Sequence, residues 1–443
     1  MSTDTTSDVV DPYVPGHGDP AYGVDHYELD LAYKVAGNHL TARARLTVTL
    51  AVATPSIGLD LHALKVTRVD VEGAALRRWS HRSSRLALRF EQAVPAGTVL
   101  SLTVTYAGTP RTMPGPDGRA GWEELADGVI VAAQPHGAPS WFPCNDRAAD
   151  KATYRISVTT DTAYTVVANG HLAEQRKEGR ATRWTYVMDE PMAPYLATVQ
   201  IGRYESTDLP GAPVPVRLHH PPRLRAAVAQ AFADQTRMVS TFAELFGPYP
   251  FAEYAVVVTD DVLEIPLESQ AVSTFGSNHC AGSWYAQRLI AHELSHQWFG
   301  NAVTAAQWSD IWLHEGFACY AEWLWSEAAG IATTQEQAAR HHALLATSPQ
   351  DIVVGAPGAV DMFDDRVYKR GALTLHALRA EVGDEVFFGI LRDWVAGHRG
   401  GVVTTTQFEA LCDRAAGRQL TGLFDAWLRA KPLPPLPAAR LLT

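Results

Sequence analysis

The stretch Ala291-His292-Glu293-Leu294-Ser295-His296-Gln297-Trp298, with Trp312-Leu313-His314-Glu315-Gly316-Phe317-Ala318 behind it, decides how this chain is read. Residues four apart on an α-helix sit one above the other, so His292 and His296 present two imidazole nitrogens to one point. Glu315 follows His296 by nineteen positions. That leaves room for the first helix to end near Gly300, a loop to cross, and a second helix to begin near Ser309, its expected N-cap, and return. Two imidazoles and a carboxylate form the donor set of a catalytic zinc, which keeps a fourth position for water. Glu293 cannot ligate in this register, and its carboxylate is placed as the general base that takes a proton from that water during attack on a carbonyl carbon. With 17 His in 443 residues, the short His-Glu-x-x-His pattern arises by chance in roughly one such chain in thirty; the downstream glutamate lowers this to roughly one in five hundred. An amphipathic core helix with merely buried histidines is therefore the weaker reading, and one Zn2+ per chain is expected.

The rest of the composition frames that site. A chain of 443 residues with 47% hydrophobic content exceeds one comfortable core and can fill two. Lys plus Arg 37 against Asp plus Glu 48 gives a net charge of −11, and no basic run interleaves with aromatics, so a nucleic-acid partner is not expected. No apolar run has the length to span a bilayer, and Met1-Ser2-Thr3-Asp4-Thr5-Thr6 lacks the charged and apolar regions of a signal peptide. The expected setting is the cytoplasm, with no membrane partner. Cys144, Cys280, Cys319 and Cys412 show no paired metal spacing and read as reduced and structural.

The hydrophobic period changes once, near residue 205. Before it, short alternating runs at residues 40–52, 86–90, 99–106, 154–159, 164–168 and 196–201 predict strands of an antiparallel sheet or sandwich. Residues 109–121, with Pro110, Pro114, Gly115, Pro116 and Gly118, read as a loop. Beyond Pro221-Pro222 the spacing of Leu224, Ala227, Val228, Ala231, Phe232 and Met238 is helical, interrupted by a strand at 254–258; the run from Lys431 to Pro437 ends regular structure. These patterns predict an α+β chain: a flexible N-terminus over 1–20, a β-domain over 21–205, a mainly α catalytic domain over 206–437 and a tail over 438–443.

Two further stretches, Trp141-Phe142-Pro143-Cys144-Asn145-Asp146 with Lys151-Ala152-Thr153-Tyr154, and Val367-Tyr368-Lys369-Arg370-Gly371-Ala372-Leu373, complete a set of motifs with the zinc segments. Together they resemble the zinc aminopeptidases of the aminopeptidase N family, gluzincin metallopeptidases that include the leukotriene hydrolase branch, over about residues 27–432. The resemblance implies an N-terminal antiparallel β-sandwich or sheet domain, a thermolysin-like zinc peptidase domain, and release of the N-terminal residue from peptides with a free N-terminus. It implies that Tyr368 donates to the developing oxyanion. It also implies that Glu268 anchors the substrate ammonium and that Gln134, in Ala133-Gln134-Pro135, is a second anchor.

The family's Gly-x-Met-Glu-Asn stretch reads Ile265-Pro266-Leu267-Glu268-Ser269 here, so Leu267 and Ser269 flank the anchor where methionine and asparagine are usual, and Glu264 is its nearest rival. His314 replaces the asparagine usual before the ligand glutamate; pointing about 100° from Glu315, it is read as a surface or supporting residue. Glu322, seven residues after Glu315 and on the same face, and Asp310 are candidates to hold the ligand imidazoles by their other ring nitrogens. Larger relatives continue into a helical domain that roofs the site, and a chain stopping near Pro437 is expected to be a short form with a more open site. The alternatives are an epoxide hydrolase of the same family and a weak or inactive peptide-binding scaffold, the latter motivated by the departures at 265–269.

Overall fold

A computed structural model describes residues 10–115 and 118–437. The expected tail at 438–443 lies outside the described residues, as do residues 1–9 of the expected flexible N-terminus. The chain separates into two compact units. One comprises Met1–Asp208, Pro215–Ala226 and Phe251–Asn278; the other comprises Leu209–Val214, Ala227–Pro250 and His279–Thr443.

The first unit is built on strands. A seven-stranded sheet runs in the order His171–Glu178, Ala181–Met192, Ala152–Asp161, Tyr22–Lys34, His39–Leu50, Val99–Gly108, Lys65–Glu72. The alternation in the sequence is the alternation of burial: Leu40, Ala42, Ala44, Leu46, Val48 and Leu50 face inward from one strand while their neighbours face out. Not every junction is antiparallel as expected. Tyr22–Lys34 lies parallel to Ala152–Asp161, with His26 opposite Thr153 and Ala32 opposite Thr159. Parallel neighbours need a long crossover, and the intervening strands, including the three-stranded sheet Thr54–Asp60, Arg85–Val94, Leu76–Arg82, supply it.

Residues 109–121 do not form a loop throughout. Met113–Gly115 and Gly118–Leu125 pair as antiparallel strands, Met113 opposite Ala120 and Gly115 opposite Gly118. This pair edges a five-stranded sheet completed by Gly128–Ala132, Val199–Gly202 and Thr165–Ala168. A further sheet places Val216–His220, Tyr254–Val258 and Val272–Phe275 side by side in parallel. Its middle strand is buried at every position, as parallel strands are.

The Trp141-to-Asp146 motif is structural glue for this unit. Asn145 is fully buried; its Nδ2 donates to Asp150 Oδ2 at 2.6 Å and to the carbonyl of Tyr22 at 3.1 Å, while its Oδ1 accepts from Asp19 N–H at 2.7 Å. Phe142 meets Tyr27 edge to face at 5.4 Å, and Tyr27 stacks on Tyr154 at 4.7 Å. The motif thus ties the first strand to its parallel neighbour.

The second unit is helical, and its first helix alone begins in the first unit, at Arg225 and Ala226. Counting from the start of helical structure, α1 is Arg225–Ala231, α2 Gln235–Phe246, α3 Trp284–Ser295, α4 Trp312–Ala328, α5 Thr334–Ala346, α6 Asp365–Val382, α7 Asp384–His398, α8 Thr405–Ala416 and α9 Thr421–Phe424. Helix α4 is buried from Trp312 to Ser326, apolar nearly all round, as a helix at the centre of a bundle must be. It crosses α6 at Gly316 and Gly371. A Cβ added to either glycine would come within 2.8 Å of the other's Cα, so only glycine permits this approach.

Candidate active site

Helix α3 opens on Ser283, whose side chain accepts from Ala286 N–H, and ends at Ser295, earlier than the Gly300 expected from the sequence. His296 still has helical angles (φ −57°, ψ −23°), so the four-residue spacing holds, but the carbonyls beyond Ser295 are taken by a wider turn in which Asn301 N–H bonds to His296 O and Ala302 N–H to Gln297 O. Gly300 (φ 122°) lies in that turn; a side chain there would press on His296 Nδ1 at 3.3 Å. Ser309 does not cap the next helix. A 3-10 turn over Trp308–Asp310 runs through Ile311 (φ −55°, ψ −24°) directly into α4, leaving no extended capping residue.

These two helices bring His292, His296 and Glu315 together, all buried, with one ligand atom from each within 4.8 Å of the others. Glu315 Oε2 is 3.3 Å from His292 Nε2 and 3.4 Å from His296 Nε2. Donor atoms each ~2.1 Å from a tetrahedral ion lie roughly 3.4 Å from one another, so the spacing is that of a zinc donor set. The other ring nitrogens are engaged elsewhere. His292 Nδ1 lies 2.8 Å from Glu322 Oε1, and His296 Nδ1 is 3.0 Å from the carbonyl of Phe299, which fixes both rings with Nε2 toward the shared point. Charge argues the same way: burial lowers the His292 pKa, yet Glu315, Glu322 and Glu293 outweigh it and raise it to about 10. The carboxylates demand a positive charge where the donors converge.

Glu293 is buried beside His292, close enough for its charge to act on that imidazole. Tyr368, in the first turn of α6, lays its ring nearly parallel to that of His292, with centroids 6.0 Å apart and 14° between planes. Asp310 Oδ1 accepts from Thr405 Oγ1 at 2.6 Å, and Thr405 Oγ1 accepts from Trp312 Nε1 at 2.8 Å, a chain that seats the start of α4. His314 is not on the surface: it is 2% exposed, and its Nε2 accepts from Ala305 N–H at 2.7 Å.

The sequence reading missed three supports. Arg288, one turn before His292 on α3, sits 3.2 Å from both oxygens of Glu322. Lys369 Nζ lies 3.5 Å from Cys319 Sγ and 3.5 Å from Asp365 Oδ1. Burial opposes ionisation of Glu322, but Lys369, the His292 bond and Arg288 overcome it and hold its pKa at about 2. The four-residue step from Arg288 to His292 was a visible signal; the Phe299 carbonyl had none, since any residue carries one. Replacing Glu322 with Ala should weaken zinc binding about 10- to 100-fold, read by competition with a chromogenic chelator. Unchanged affinity would remove Glu322 from the site.

In the first unit, Gln134, Leu267, Glu268 and Ser269 line one small pocket with Tyr195 and Leu196. Leu267 exchanges both backbone hydrogen bonds with Thr274 at 2.9 Å, which extends the parallel sheet and fixes the pitch of Glu268. Gln134 Nε2 is buried without a hydrogen-bond partner among the described residues. Ile265 is 64% exposed, and Glu264 is also exposed.

Residues 24–196 match the peptidase M1 N-terminal domain and residues 230–427 the peptidase family M1 domain. Aminopeptidase M1 of Arabidopsis thaliana is 26% identical over 69% of this chain and 37% of its own length; glutamyl aminopeptidase of Bos taurus is 24% identical over 93% and 47%. The chain therefore spans less than half the length of these curated relatives. An M1 zinc metallopeptidase from Deinococcus radiodurans is 30% identical with a TM-score of 0.89, the alignment covering 98% of this chain and 99% of that one. A variant of that enzyme bound to a Tyr-Ser-Ala substrate matches equally well, at 30% identity, a TM-score of 0.89, and coverage of 98% and 100%.

Proposed function

The chain belongs to the peptidase M1 family of zinc metallopeptidases, and from that premise we propose that it is an aminopeptidase, hydrolysing the first peptide bond of peptides that carry a free N-terminus. The observation that carries the reading is the buried triangle of His292, His296 and Glu315 with Glu293 beside it and Tyr368 against His292. Zinc, when bound by those three residues, supplies Lewis-acid polarisation of the scissile carbonyl and makes water nucleophilic at neutral pH.

Everything else falls to side chains. Glu293 accepts a proton from the attacking water and returns it to the departing amine. Tyr368 donates its hydroxyl hydrogen to the carbonyl oxygen as negative charge gathers there, a contact stronger in the transition state than before it. Glu268 accepts hydrogen bonds from the substrate ammonium, and Gln134, in the same pocket, accepts from it through its amide oxygen Oε1, since its Nε2 is a donor like the ammonium itself. Leu267 and Ser269 shape the walls. Peptide occupancy is supported by the Tyr-Ser-Ala complex of the Deinococcus enzyme.

The complete donor set and its charge balance weigh against an inactive scaffold, and nothing in the site favours epoxide opening. Among the described residues no helix is long and apolar enough to cross a membrane. A cytoplasmic setting belongs to the same proposal, supported by four buried free thiols.

The test uses fluorogenic aminoacyl substrates in pairs, amine free and amine acetylated. Cleavage of the free-amine forms alone is expected, and Glu268→Ala should raise KM for them by about tenfold or more, the loss of a charged hydrogen-bond partner. Equal cleavage of acetylated substrates would make the enzyme an endopeptidase and remove Glu268 from its role.

A further inference from the structure

Arg370 stands two residues beyond Tyr368 in α6, about 200° around the helix, so the two side chains leave it on nearly opposite sides. It is 4% exposed, and its guanidinium donates to five main-chain carbonyls of one segment. Nε reaches Trp427 O at 2.8 Å and Nη1 reaches Lys431 O at 2.6 Å; Nη2 serves Ala426 O at 2.9 Å, Pro432 O at 3.1 Å and also Ala430 O. Burial pulls the Arg370 pKa down to about 10, which leaves it charged at neutral pH.

The segment needs those donors. Helix α9 runs into a π-helical turn, Asp425–Arg429, and the backbone becomes extended at Ala430 (φ −82°, ψ 143°). A helix end strands its last carbonyls, and Pro432, Pro434 and Pro435 have no N–H with which the stretch could join a ladder. A planar fork with five N–H bonds meets that demand, whereas the three donors of a lysine, radiating from one atom, cannot span it. The segment is itself seated: Leu428 is fully buried, its carbonyl accepts from Gly355 N–H at 2.9 Å, and Pro434 O is 2.8 Å from His342 Nε2.

Helix α6 is thus gripped on separate faces, by the glycine contact with α4 at Gly371 and by Arg370 on residues 426–432. We infer that Arg370 is a positioning residue for Tyr368, fastening the first turns of α6 so that the phenol hydroxyl stands where charge develops on the substrate oxygen. This rests on the role given to Tyr368 under Proposed function. An oxyanion donor acts within a narrow range of distance, and a shift of about 1 Å can cost up to 10²-fold in rate.

The experiment is a double-mutant cycle on the full chain with a free-amine substrate, comparing wild type, R370K, Y368F and the double variant, each with its thermal midpoint. R370K should lower kcat about tenfold with KM within about twofold, and beside Y368F it should change kcat by less than about twofold. A tenfold loss that persists in the double variant, or a lowered melting point with kcat intact, overturns the inference. Wild-type kcat in Y368F overturns instead the role of Tyr368. Should R370K fail to fold, Leu428→Ala loosens the same segment without altering any residue of α6 and must show a kcat loss that disappears beside Y368F; if it does not, the inference falls.

Discussion

Glu293→Ala should retain about one zinc per chain and lose turnover by about a thousandfold or more, the upper range for removal of a general base. That is about 4 kcal/mol of transition-state stabilisation at ~1.36 kcal/mol per tenfold. The separation of metal from activity follows from the geometry. The donor triangle is made by His292, His296 and Glu315, and their outer contacts run to Glu322 and the Phe299 carbonyl, so the triangle does not need the Glu293 carboxylate. Removing one negative charge beside His292 loosens the cation's electrostatic hold only in part, because Glu315 and Glu322 remain. Metal analysis alongside kinetics decides the matter. Loss of zinc together with turnover would make Glu293 a structural or ligating group, and turnover near wild type would assign the base elsewhere.

Tyr368→Phe should lower kcat about 10²- to 10³-fold and leave KM within a few-fold, the pattern of a donor that acts on charge present only in the transition state. The ring keeps its place in this variant because its position comes from packing: it lies against His292, and α6 beneath it is fixed by the glycine crossing with α4. Only the hydroxyl is lost. A rise in KM with kcat intact would recast Tyr368 as a binding residue, and kcat within threefold of wild type would exclude the oxyanion role. A phosphinic peptide analogue of the tetrahedral state gives an independent reading, since its affinity should fall in step with kcat/KM.

The zinc segments were legible because their information is local. A four-residue step on a helix places two histidines on one face wherever the helix sits in the fold, and the seven-residue step from Glu315 to Glu322 does the same for two carboxylates. Strand alternation in the first unit was legible for a similar reason, as the burial of residues 39–50 illustrates. Pairing was not. Nothing in residues 22–34 or 152–161 says that they lie parallel, and the buried strands at 216–220 and 272–275 have no period to detect. Helix ends failed where a local turn of a different pitch takes over from the α-helix, the wider turn beyond Ser295 and the 3-10 turn that carries Ser309 past the expected boundary. Lys369 and Arg370 stand in a quoted motif and Arg288 one turn before a ligand, but their contacts were not legible because each partner is more than thirty positions away, Cys319, the 426–432 carbonyls and Glu322.

The crossing of α4 and α6 has a consequence for how such an enzyme can change. Because Gly316 and Gly371 meet with no room for a methyl group, a side chain at either position would push the helix that carries Glu315 away from the helix that carries Tyr368. Substitutions elsewhere can retune what the site accepts, but these two glycines hold the spacing between ligand and oxyanion donor and leave no room for a larger residue. A library built to redirect specificity should therefore leave 316 and 371 untouched and place its diversity in the pocket around Gln134 and Leu267, where a change of side chain leaves the α4–α6 crossing alone.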